Sequence, residues 1–107
     1  MRIGRVMGTV TLGTRLPELA PGRLLLVEVL DRAALEGHAK NARRKTPMPE
    51  SLVVYDEMGA GAGQLIGISE GAEATMPLRP KRVPLDAYCS AILDVVEMTV
   101  TQEKVAI

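Results

Sequence analysis

Apolar and polar residues alternate over residues 3–14, with Val6, Gly8, Val10 and Leu12 on one face and Met7, Thr9 and Thr11 on the other. That period of two predicts a β-strand. Pro17, Pro21 and Gly22 then turn the chain. Residues 23–31 hold Leu24, Leu25, Leu26, Val27, Val29 and Leu30. This segment is apolar on both faces over half its length. It fits a strand covered on both sides or a short buried helix, and its β-branched content modestly favours the strand. Residues 33–50 are polar and end in Thr46-Pro47-Met48-Pro49, which predicts a solvent-facing loop with a helical turn over residues 32–38.

A third strand is predicted over residues 52–55 and a fourth over 64–69, joined by Gly59-Ala60-Gly61-Ala62-Gly63. Residues 70–73 turn, and 74–82, with two prolines, read as irregular. After Pro84 the period changes. Leu85, Tyr88, Cys89, Ile92 and Leu93 fall at i, i+3, i+4, i+7 and i+8, the face of an amphipathic helix. Pro84 before it and Asp86 in its first turn suit a helix N-terminus. Residues 94–100 alternate like a final strand, and 101–107 read as a C-terminal tail behind a single domain spanning 1–100. Short strands at close spacing with one short late α-helix predict a mainly β fold, a small closed β-barrel.

Composition narrows this picture. Two Tyr, no Phe and no Trp among 107 residues leave Leu, Ile, Val and Met to fill a core, and a narrow barrel interior suits that supply. Met7, Met58, Met76 and Met98 are expected to fill gaps that rings would otherwise occupy. Thirteen basic and thirteen acidic residues cancel, so no net field draws the chain to nucleic acid or an anionic membrane. The single Cys89 cannot form an internal disulfide, which fits a cytoplasmic setting. No apolar run approaches the length of a membrane span.

The glycine–alanine run is the principal candidate site. Glycines at spacing two let backbones pass close, either around a phosphate or where copies of one subunit crowd a shared axis. The phosphate-loop pattern needs Lys-Ser or Lys-Thr after its last glycine, and Gln64-Leu65-Ile66 stand there instead. Gly-x-Gly-x-x-Gly fails as well, and a strand rather than a helix is predicted to follow. A binding module for single-stranded nucleic acid needs aromatic platforms, and only Tyr55 and Tyr88 are on offer. For an enzyme the prospects are poor. His38 lies in a polar stretch, Cys89 is on an apolar stripe, and Asp56 and Glu57, as neighbours on a strand, face opposite ways. One His and one Cys far apart have no metal-ligand spacing. Neither a cofactor nor a metal is expected.

The order of motifs resembles one family, the pentameric vertex proteins of bacterial microcompartments and carboxysomes. The resemblance rests on Gly4-Arg5-Val6-Met7-Gly8-Thr9-Val10, then Thr14, Arg15, Leu19 and Gly22-Arg23-Leu24-Leu25. Asp56-Glu57-Met58-Gly59-Ala60-Gly61-Ala62-Gly63-Gln64 forms its centre. Gly71-Ala72-Glu73-Ala74-Thr75, Pro84-Leu85-Asp86-Ala87 and Ile92-Leu93-Asp94 complete it, over residues 2–98. Gln64 stands where the family usually has Glu, and Thr75 where it has Arg. The resemblance implies an OB-like barrel and a homopentamer at the corners of a polyhedral shell in the cytoplasm, beside hexameric and trimeric shell proteins, with no catalysis. On that basis Gly59, Ala60, Gly61, Ala62, Gly63 and Gln64 are expected at the pore or inner subunit contact. Arg23, Glu28 and the basic loop over residues 32–50 are candidate contacts with neighbouring hexamers. The alternative is an OB-like binding module for nucleic acid or a small ligand, unrelated to shells.

Overall fold

A computed structural model describes residues 1–14, 17, 22–40, 44–80, 83–100 and 103–106. Strands β1 (Arg2–Val10), β2 (Arg23–Val29), β3 (Ser51–Asp56), β4 (Leu65–Glu70) and β5 (Ala87–Leu93) close into a barrel in the order β1-β2-β3-β5-β4. The neighbouring pairs are antiparallel except β3 and β5, which run parallel and meet only at Tyr55 and Tyr88. The expected mainly β fold, a small closed OB-like barrel, is therefore present.

Inside sit Val6, Leu25, Val27, Val54, Ile66, Ile68, Ala87 and Cys89, all buried. Burying one such Leu, Ile or Val contributes about 1.5–3 kcal/mol, and no ring is needed to fill the space. Gly4 marks how narrow the interior is, since a Cβ there would run into Val27 and Ile68. Two further clusters coat the outside. Leu24, Tyr55 and Val83 gather Val10, Leu78, Leu85 and Tyr88. Leu30, Ala34 and Leu65 gather Leu35, Met48, Leu93 and Val96. Coverage on both sides explains the two-faced apolar run of β2.

Helix α1 (Arg32–Ala39) starts at Asp31, whose carboxylate accepts from Ala34 N at 2.8 Å. It extends the helical turn expected over 32–38. Helix α2 (Ala72–Thr75) begins in the turn expected over residues 70–73, and with a 3₁₀ turn (Met76–Leu78) it occupies the start of the stretch 74–82 expected to be irregular. Strands β6 (Glu97–Val100) and β7 (Glu103–Ala106) form a separate two-stranded ladder. Residues 101, 102 and 107 of the expected tail, and Arg15, Leu19 and Arg43, lie outside the described residues. Among the described residues no helix is long and apolar enough to cross a membrane.

Three expectations are corrected. The late amphipathic helix is strand β5, and a bulge produced the helical spacing. β4 pairs with β5 as Ile68↔Cys89 and then Gly67↔Ala91, skipping Ser90. An inserted residue shifts the inward parity, so Ala87 and Cys89 enter the core and Ile92 follows three positions later. Leu85 and Tyr88 meanwhile pack outside, with Tyr55. A second bulge between Val6 and Gly8 on β1 turns Val6 inward and Val10 outward, so the single predicted face is split. Finally, Met7, Met58 and Met76 are exposed rather than filling core gaps, and the side chain of Met98 lies outside the described set.

Candidate functional site

The glycine–alanine run leaves the end of β3 as a loop built around one carboxylate. Asp56, buried at the strand end, accepts from Met58 N at 3.0 Å and from Gly59 N and Ala60 N at 2.9 Å each. A short acidic side chain that bonds amides two to four residues ahead is a turn-former by geometry. Gly59 and Gly63 both have φ of +88°, a region that residues with a Cβ enter only at a cost. Between them Ala60 is 1% exposed and packs into the barrel core, closing that end of the interior. Gly61, Ala62, Gly63 and Gln64 remain on the surface.

The surface half of the loop is fastened in turn. Gly61 N donates to Gln64 Oε1 at 2.6 Å, and Gln64 N to Gly61 O at 3.1 Å. Gly63 N donates to Val6 O at 2.8 Å, and Val6 N to Gln64 O at 2.9 Å, at the β1 bulge. Arg23, on β2, donates to Ala60 O at 3.1 Å and stands 3.7 Å from the Asp56 carboxylate. The structure thus brings together all six expected site residues and adds Asp56 and Arg23. The Asp at the head of a glycine-rich loop was the signal for the first. Nothing in spacing pointed to Arg23 as the loop's guanidinium partner.

Neighbouring titratable groups are locked into this framework. Burial pushes the Cys89 thiol up to about 12, and the Asp56 carboxylate beside it acts in the same direction. Burial, and then a hydrogen bond to Glu57 Oε1 at 3.0 Å, raises the Tyr88 hydroxyl to about 12. Tyr55 is buried, its oxygen accepts from Gly22 N at 3.1 Å, and its ring lies 6.2 Å from that of Tyr88. A Cβ at Gly22 would collide with that ring. Tyr55 therefore offers no face on which a base could stack. Among the described residues no group of three His, Cys, Asp or Glu side chains could hold a metal, and His38 is exposed at the end of α1.

A second charged constellation lies outside the β1–β2 seam. Glu28 is 1% exposed, so its side chain cannot be the surface contact expected from the sequence. It accepts from Arg5 Nε at 2.8 Å, from the Arg44 guanidinium, and from Met48 N at 3.2 Å. Burial alone would raise its carboxyl, but the Met48 N–H and the two guanidinium groups outweigh that and hold it below the usual range. Arg44 of the basic loop is therefore a clamp. Arg2 bridges Glu50 at 2.7 Å and Glu70 at 2.6 Å, tying the far end of the same loop to β4.

The family described as "Ethanolamine utilisation protein EutN/carboxysome" matches residues 1–94. The carboxysome shell vertex protein CcmL of Synechococcus elongatus is 34% identical over 98 residues, spanning 92% of this chain and 88% of its own. The solved structure of CcmL from Gloeobacter violaceus superposes with a TM-score of 0.74 at 29% identity, covering 97% of this chain and 94% of that one. GrpN, solved as a pentameric microcompartment shell protein from Rhodospirillum rubrum, gives a TM-score of 0.68 at 31% identity, over 92% of this chain and 99% of that one.

Proposed function

The chain belongs to the EutN/CcmL family, and from that membership we infer that it is a structural shell subunit, a cyclic homopentamer capping the vertices of a polyhedral bacterial microcompartment. Its place in the cell is the shell, within the cytoplasm. The observation that carries this reading is the agreement of barrel and sequence with vertex proteins over nearly the whole chain. Flat hexagonal tiling cannot close on itself, and five-fold units supply the missing curvature. A five-membered ring has heterologous contacts, each copy offering one surface to a different surface of the next.

Finer points belong to the same proposal. The neighbours in the shell are hexameric and trimeric shell proteins, and the chain performs no catalytic step. The surface half of the glycine loop, Gly61 to Gln64, lies at the inner contact or pore of the ring. Support comes from Gly61, whose absent Cβ would meet only Gln64 Oε1, at 3.7 Å. The fold of the single chain gives no reason for glycine there, whereas crowding around an axis does.

Co-expression with hexameric shell tiles tests the reading. Electron microscopy should show closed polyhedra when this chain is present and open sheets or tubes when it is withheld. Equal closure in both cases would remove the vertex role.

A further inference from the structure

Residues 44–50 lie against the barrel yet belong to no helix or strand. Charge fastens them at both ends. At one end Glu28 Oε1 takes the Arg44 guanidinium, and Glu28 Oε2 accepts from Met48 N at 3.2 Å. At the other, Arg2 donates to Glu50 at 2.7 and 3.0 Å and to Glu70 of β4 at 2.8 and 2.6 Å. A backbone bond from Val29 N to Glu50 O, at 3.1 Å, sits beside that second staple. Between the staples Met48 packs on the Leu30, Ala34 and Leu65 cluster, itself only partly buried. That is slight apolar anchorage for such a length of chain.

The staples are unequal. Arg2 and Glu50 are 39% and 50% exposed, and a pair so open to water holds weakly. Glu28 is 1% exposed, and a buried carboxylate is costly to leave without its partners. Two of its three partners, Arg44 and Met48 N, come from residues 44–50, and the third, Arg5, from β1. β3 faces it with uncharged Ser51. Glu28 is therefore the latch. Burial opposes its charged form, but the Met48 N–H with Arg5 and Arg44 outweighs that and holds the carboxyl below its ordinary value. Arg2 does the same for Glu50, with Glu70 and the chain's α-ammonium as the other charges nearby.

We propose that residues 44–50 form a strap that opens as a unit over a closed barrel, latched by Glu28 and released when that carboxylate is protonated. Opening returns Glu28 and Arg5 to water, bares the Leu30–Ala34–Leu65 cluster, and frees the basic pair Arg44 and Lys45. Every contact involved lies within one chain, so the strap does not depend on the pentameric reading. The sign of its response is fixed. Glu28 regains its ordinary proton affinity, near 4.5, only in the open form, so opening grows as pH falls toward and below that value.

Residue-resolved amide hydrogen exchange of the purified full chain, in low concentrations of urea, tests this. The Met48 N–H reports on the strap, and the amides of Leu25, Leu26 and Val27 report on the barrel. Corrected for intrinsic chemistry, Met48 should exchange at least about tenfold faster than those barrel amides, with little dependence on urea, as a local opening does. Its opening should rise about threefold or more from pH 6 to pH 4. Glu28→Gln should open the strap at least about tenfold more at pH 6 and remove most of that rise. Should Glu28→Gln fail to fold, Arg44→Gln, which removes a partner from the strap side, should likewise speed Met48 exchange at pH 6. Met48 exchanging at the barrel's rate and with the barrel's urea dependence would overturn the strap. Opening indifferent to pH, or to both substitutions, would overturn Glu28 as its latch.

Discussion

Glu28 carries more of the structure than its position in a run of Leu and Val suggests. Its carboxylate is removed from water and matched by two guanidinium groups and one backbone N–H, and removing one member of such a buried set costs about 3–5 kcal/mol. Glu28→Gln should therefore destabilise the chain by roughly 3 kcal/mol at neutral pH and free the loop at Arg44 and Met48. The pH dependence follows from the lowered carboxyl. A carboxyl depressed by folding contributes fully above its unfolded value of about 4.5, and the contribution is lost as pH falls through the folded value. Denaturant titrations should show the gap between wild type and Glu28→Gln constant from pH 7 to about pH 5 and narrowing below that. A gap independent of pH would mean that the carboxylate charge is not what Arg5 and Arg44 recognise.

The glycine loop separates two demands that its sequence mixes. Gly59 and Gly63 are required by backbone conformation, and Ala60 by the small space at the barrel end. Gly61 is required by neither. Gly59→Val should lower thermal stability, because a β-branched residue at φ of +88° costs about 1–3 kcal/mol. Gly61→Val should leave the barrel's circular dichroism intact yet sediment as a smaller species than the wild type. An unaltered sedimentation profile for Gly61→Val would take the loop off the subunit interface.

Strand legibility follows the same logic. β3 and β4 were readable because short apolar runs were bounded by glycine and proline, and the loop between them because its composition is unusual. β5 was not, because the bulge at Ser90 spaces Cys89 and Ile92 as a helix would. Leu85 and Tyr88 also pack on the outer surface, and no period of two survives that combination. Glu28 misled for a related reason. Its partners Arg5 and Arg44 are distant in sequence, so its burial was invisible to any local pattern. Asp56 stands out in the sequence as the head of the glycine-rich motif. Its role as the loop's hydrogen-bond acceptor is legible only in its spacing to Gly59, which describes a turn.

At the scale of the whole molecule the barrel is a building block with, among the described residues, one open strand edge on β3 and one glycine-rich end. The interior is too narrow to receive a ligand, being filled by aliphatic side chains, and the titratable groups beside the loop are tied into hydrogen bonds. What the chain offers is surface, arranged for a copy of itself. The most direct test is therefore the mass of the purified chain under native conditions. We predict a single species of five times the 11.5 kDa chain, persisting on dilution. A species that remains at the mass of one chain at high concentration, or that closes with another number of copies, would contradict the account.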